Sequence, residues 1–209
     1  MKSFGIQNSE FKIQHWFVRG WVVLLLAVFY GEEIRATDVQ LADINGQVHS
    51  PLHATNRAAT VVIFTLPDCP IANAFAPEII RLVADYAARG VGFYLAHADR
   101  ALTEDEARKH AAEFAFPCPV LLDAQHALVR ALGATKTPQA FVVSANGKTV
   151  YRGRINNLFA DYGQRRQTVT QHDLRDALDA VLAGKPVARP TTEAIGCHIQ
   201  LTSETKKTP

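Results

Sequence analysis

TVVIFTLPDCPIANAFAPEIIRLVADYAARG, residues 60–90, is the stretch on which the fold turns. Its apolar, β-branched opening, Val61 to Leu66, has the makeup of a buried strand. Pro67 and Asp68 then form a short turn, and Cys69 follows. Beyond it Ile71, Phe75, Ile79, Leu82 and Tyr86 recur on one helical face. Pro70 takes the first helical position, where a missing N–H costs nothing. Cys69 is therefore predicted at the helix N-cap, where unpaired amides and the positive end of the macrodipole favour its thiolate. Asp68 opposes this by charge repulsion, so the net thiol pKa stays open at this level. A lone cysteine is more often a small buried hydrophobe than a nucleophile. Its place between a strand end and a Pro-started helix favours chemistry.

Outward from this stretch the pattern is that of one α/β domain. Val39 to Leu52 alternates around Asn45-Gly46, a strong hairpin signal. Gly90 ends the Cys69 helix, and Val91 to Ala96 is the next buried strand. Thr103 and Glu106 make a capping box for a helix to about Phe114. Pro117 to Asp123 reads as a short strand before a helix from about Ala124 to Leu132, which Gly133 ends. AFVVSANGKTVYRGR is a hairpin turning at Asn146-Gly147, and His172 to Ala183 is the last helix. Residues 1–36 stand apart: Lys2, Lys12 and Arg19 precede an uncharged run, Gly20 to Gly31, too short for a bilayer but suited to a signal-peptide core. Export is expected, periplasmic or otherwise extracytoplasmic, with the leader either cleaved near Ala36 or retained as a membrane anchor. Residues 37–184 then form the domain, and residues 185–209 a Pro- and Thr-rich tail expected to be irregular. A net charge of +2 with no basic stripe among aromatics excludes a nucleic-acid partner.

Position for position, the chain resembles the thioredoxin-like fold in its redoxin branch. Cys69 falls on the first cysteine of the CxxC motif, Pro77 on the proline that kinks the active-site helix, and Thr137-Pro138 on the cis-proline loop. The resemblance implies a three-layer α/β fold: a central mixed sheet, an N-terminal β-hairpin and helices on both faces. It also implies that strands Val61–Leu66 and Val91–Ala96 run parallel and end on one rim, where active sites of open α/β sheets gather. Asp68, Pro70, His97, Asp99, Arg100, Thr137 and Pro138 should then surround Cys69. The loop Arg154 to Gln171 leaves over the same edge. Its Asn156, Asn157, Asp161, Tyr162, Arg165 and Arg166 either line a substrate or partner surface or form an ordinary solvated loop.

The chain departs from its relatives in the second cysteine. Ala72 stands where thioredoxins keep it, and Asn73 where Sco-type copper chaperones keep theirs. A peroxiredoxin motif would need threonine and proline where Leu66 and Val62 stand. The segment DCPIANAFAPEI is closest to the peroxiredoxin-like AhpC/TSA redoxins that keep only the first cysteine. A resolving thiol must then come from afar, and Cys197 in EAIGCHI is the candidate. At about 3.3 Å per residue the stretch from Gly184 spans roughly 40 Å, enough to cross the domain. The Gly196-Cys197 step with apolar Ile195 and Ile199 suggests a tail that docks, the alternative being a free thiol on a disordered tail. Cys118, between two prolines, is expected to be structural, although a pairing with Cys197 stays open.

The implied chemistry is thiol–disulfide exchange or peroxide reduction at Cys69, with no cofactor. The implied partners are a protein or small-molecule disulfide, or a peroxide, and a reducing thiol. Two competing readings remain. One is Cu(I) binding by Cys69, His97, Cys197 and His198; the other is a partner-binding module without catalysis.

Overall fold

The computed structural model describes residues 39–54 and 56–201. The leader therefore lies outside the described residues. Among those described, no helix is long and apolar enough to cross a membrane.

The first hairpin pairs β1 (Leu41–Ala42) with β2 (Val48–His49). Asp43 shapes its turn, accepting hydrogen bonds from the amides of Asn45 and Gln47. β3 (Ala59–Thr65) is buried along its whole length. The helix after Cys69 comes in two pieces, α1 (Pro70–Ala74) and α2 (Ala76–Tyr86). The break at Phe75 has a local cause: Pro77 has no N–H to offer the carbonyl of Asn73. Next come β4 (Val91–His97), α3 (Glu104–Glu113) with its Thr103–Glu106 capping box formed, and β5 (Val120–Leu122). The following helix, α4 (Ala127–Leu132), starts later than its sequence suggests because His126 adopts a left-handed conformation at its N-cap. β6 (Lys136–Thr137), β7 (Gln139–Ser144) and β8 (Thr149–Gly153) follow.

A five-stranded sheet in the order β5-β4-β3-β7-β8 forms the middle layer. β5, β4 and β3 run parallel, while β7 and β8 run antiparallel to their neighbours. Alternation along β3 divides the core: Val61 and Ile63 face one layer, Val62 and Phe64 the other. The first layer holds Ile79 and Leu82 of α2, Ala107 of α3, and Leu174 and Leu178 of α5 (Asp173–Leu182). Opposite it lie Leu128, Val129 and Leu132 of α4. This is the three-layer thioredoxin-like arrangement.

Two expectations need correction. The loop from Arg154 to Gln171 contains a small hairpin, β9 (Phe159–Asp161) with β10 (Gln164–Arg165). The tail after α5 is not simply irregular. Arg152 of β8 donates its amide to Pro190 and accepts one from Thr192, and the tail ends in a strand, β11 (Cys197–His198), antiparallel to β6. Such long-range pairing has no local sequence signature, because the partner strand lies far away along the chain.

Candidate active site

Cys69 is the N-cap of α1, with extended backbone angles (φ −95°, ψ 102°) before the helical turn begins. Its carbonyl accepts the amide of Asn73, and its own amide donates to Leu66. A second line ties this turn to the core: the Asn73 side chain donates to the Pro67 carbonyl at 2.6 Å and meets His110 Nε2 at 2.9 Å. The Thr137–Pro138 peptide is cis, and the Cys69 thiol donates to the Thr137 carbonyl at 3.1 Å. The helix start and the residue-137 loop thus meet at the sulfur.

The tail completes the site. Cys197 pairs with Thr137 and His198 with Lys136, while Ile199 donates its amide to Thr135. Gly196 passes so close to β6 that a Cβ there would strike the Thr137 carbonyl. Further back, Thr192 seats against Gly153, its hydroxyl meeting Tyr151 Oη at 2.7 Å and accepting the Arg154 amide at 3.1 Å. These anchors bring Cys197 beside Cys69, a residue left 1% exposed. Cys69 therefore lies at the rim but is covered by the strand carrying the second cysteine.

Burial pushes the Cys69 pKa up. Hydrogen bonds from the Cys197 thiol, the amides of Ala72 and Cys197 and the Thr137 side chain outweigh it, so the net value falls below the ordinary thiol range. The Thr137 hydroxyl is buried and unpartnered while Cys69 is a thiol, which leaves its proton available to a thiolate. Cys197 moves the other way. Burial and then the neighbouring Cys69 raise it to about 11, although the Tyr162 hydroxyl lowers it in part. All three cysteines are free thiols here.

The other candidates divide. Asp68 and Pro70 are exposed beside Cys69, and Tyr162, 64% exposed, reaches Cys197 with its hydroxyl. Asp99 is exposed and accepts the Ala101 amide. His97 does not present itself at the rim. It is 1% exposed, with Nδ1 on the Thr65 carbonyl and its ring 5.2 Å from that of His110, because it ends the fully buried β4. Burial, reinforced by His110, pushes its pKa down to about 4. Arg154 is committed to Asp173 at 2.7 Å and to Gln171, so it anchors the loop to α5. Asn156 is buried and accepts the Leu158 amide, and Asn157 clamps Thr170 and Gln171; both shape the loop. Arg165 is exposed in β10, and Arg166 donates its amide to Leu158.

Among the described residues, no group of three or more His, Cys, Asp and Glu side chains could hold a metal ion. His97 points inward and His198 is exposed, which separates the four residues of the copper reading. Cys118 sits at the opposite end of the sheet, in a cavity with Tyr94 and Pro119, away from Cys69. The Gly196-Cys197 step that points to a docked tail has its physical reason here: only glycine lets the backbone approach the Thr137 carbonyl so closely.

An uncharacterized conserved protein from Geobacillus kaustophilus shares 30% identity over 78% of this chain and 87% of its own, with a TM-score of 0.68. A hypothetical protein from Sinorhizobium meliloti 1021 shares 28% over 81% and 93%, with a TM-score of 0.70. A secreted Mycobacterium tuberculosis disulfide oxidoreductase homologous to E. coli DsbE is similar in fold, at 15% identity over 71% and 97% with a TM-score of 0.51. No curated protein matches. The sequence profile of the redoxin family covers residues 31–164, from ahead of the first hairpin to β10 and short of the tail. The chain belongs to the redoxin family.

Proposed function

We propose that this redoxin is an exported thiol–disulfide oxidoreductase in which Cys69 is the nucleophile and Cys197 its intramolecular partner. The observation that carries the proposal is the pairing of Cys197 with Thr137, which sets a second thiol beside the first. The lowered pKa of one and the raised pKa of the other give them different roles.

In the reducing direction, β11 lifts from β6 to uncover Cys69, whose thiolate attacks one sulfur of a partner disulfide. That S–S bond breaks, the departing thiolate takes up a proton, and a mixed disulfide forms on Cys69. Cys197, losing its proton to the solvent or the leaving thiol, then attacks the Cys69 sulfur and expels the second partner thiol. The partner is reduced and the protein ends with a Cys69–Cys197 disulfide, which an external thiol reductant restores. Peroxide is the weaker co-substrate, because Val62 and Leu66 replace the proline and threonine that accompany a peroxidatic cysteine.

Mild oxidation of the full chain followed by peptide mapping without reductant tests the reading. The expected product joins the peptides of Cys69 and Cys197. A chain that leaves both cysteines unlinked and reduces no disulfide would instead be a partner-binding module.

A further inference from the structure

The two thiols at the site differ in how the outside reaches them. Cys69 is closed off by β11, with Gly196 against the Thr137 carbonyl and Ile195 beside Pro138. Cys197 is only partly covered and lines a cavity of about 590 Å³. Lys136, Tyr162, His198 and Gln200 also line this cavity, and the Tyr162 hydroxyl points at the Cys197 sulfur. Its volume suits a small organic molecule.

We infer that in the oxidised protein external thiols attack at Cys197, through this cavity, and that Cys69 is the leaving sulfur. The inference rests on the proposed pairing of the two cysteines. It concerns a small thiol reductant distinct from the disulfide partner of Cys69, because that partner's own thiols would have to retrace the Cys69 route. A disulfide opens when a thiolate approaches one sulfur and the other departs with the bonding electrons, and a lower leaving-group pKa makes that departure faster. Access and departure agree at this site. The reachable sulfur is Cys197, and the sulfur whose thiolate is held by the Ala72 amide and the Thr137 side chain is Cys69.

The step balances with a thiol as reductant. An external thiolate bonds to Cys197 Sγ, the Cys69–Cys197 bond breaks, and Cys69 leaves as a thiolate. A second external thiol attacks the outer sulfur of the mixed disulfide and passes its proton to the departing Cys197. Two thiols are oxidised to one disulfide and the protein returns to its dithiol form.

The test uses full-length Cys118→Ala protein, oxidised and mixed with limiting reduced glutathione, then quenched in acid within milliseconds, alkylated and peptide-mapped. Glutathione is expected on Cys197 and the alkyl group on Cys69, with at least about a tenfold preference, because both access and leaving-group pKa favour that sulfur. Glutathione on Cys69, or spread evenly over both, overturns the inference while leaving the disulfide pairing intact. A starting protein without the Cys69–Cys197 bond overturns the pairing itself, and the inference with it.

Discussion

Cys69 and Cys118 sit at opposite ends of the same parallel strands, and burial acts on both thiols in the same direction. At Cys118 burial prevails, and the pKa rises to about 12 despite a hydrogen bond from the Leu95 backbone. Cys69 is also closed off from solvent, yet its pKa falls, because a second thiol, a helix start and a threonine all offer protons to the same sulfur. Enclosure by apolar groups makes a thiol inert, whereas enclosure by donors makes it acidic. The segments α1, β6 and β11, gathered around Cys69, supply those donors, whereas Cys118 has the Leu95 backbone to set against its burial.

The sharpest way to break this contrast is Cys69→Ser. Disulfide exchange, followed with a model disulfide substrate, should fall by roughly two orders of magnitude or more. The melting temperature should hardly move, because serine is a competent N-cap. Substantial remaining activity would move the chemistry to another thiol.

Gly196→Ala probes the cover rather than the sulfur. A methyl group against the Thr137 carbonyl should lift β11 at a cost of about 1–3 kcal/mol, the usual scale of overpacking. Iodoacetamide should then modify Cys69 faster than in the unaltered chain. An unchanged rate would mean that something other than the tail shields it.

His97 beneath the active rim gives a pH signature. Its folded pKa of about 4 lies below the ordinary 6.5, so the unfolded chain binds more protons between these values. The contribution of neutral His97 is therefore full above pH 6.5 and is lost as the pH falls toward 4. Urea unfolding of His97→Asn across that window should show a shallower loss, and an identical slope would contradict the assignment.

Cys118 should give the smallest and opposite signature. Its pKa rises from 9.0 to about 12, so the unfolded chain releases a proton first, and stability falls as pH climbs from 9 toward 12. Cys118→Ala should flatten this alkaline loss only in part, because burial also raises Tyr151 and keeps some of the slope. A loss as steep as in the unaltered chain would show that Cys118 is not held in its neutral form.

Much of the site was legible in the sequence because it depends on neighbours in the chain. Strand, turn, Cys69 and Pro70 follow one another, and each is specified by residue type and spacing. His97 was misplaced for the converse reason. Its position at a strand end was readable, but the side of β4 on which its ring packs depended on Thr65 and His110. Arg154 and Asn156 were likewise visible as polar residues in a loop, while their commitment to Asp173 and the Leu158 amide was not.

By itself the sequence determined that a cysteine would cap a helix after a buried strand, in an α/β domain closed by a hairpin and a final helix. Those features arise from local periodicity, from proline's missing donor and from glycine at chain reversals. Only the tertiary structure decided that the tail would cross to β6, set Cys197 on Thr137 and enclose Cys69 among proton donors. That outcome required backbone pairing between distant segments, and such pairing is selected by the shape of the assembled sheet edge rather than by any residue's own preference.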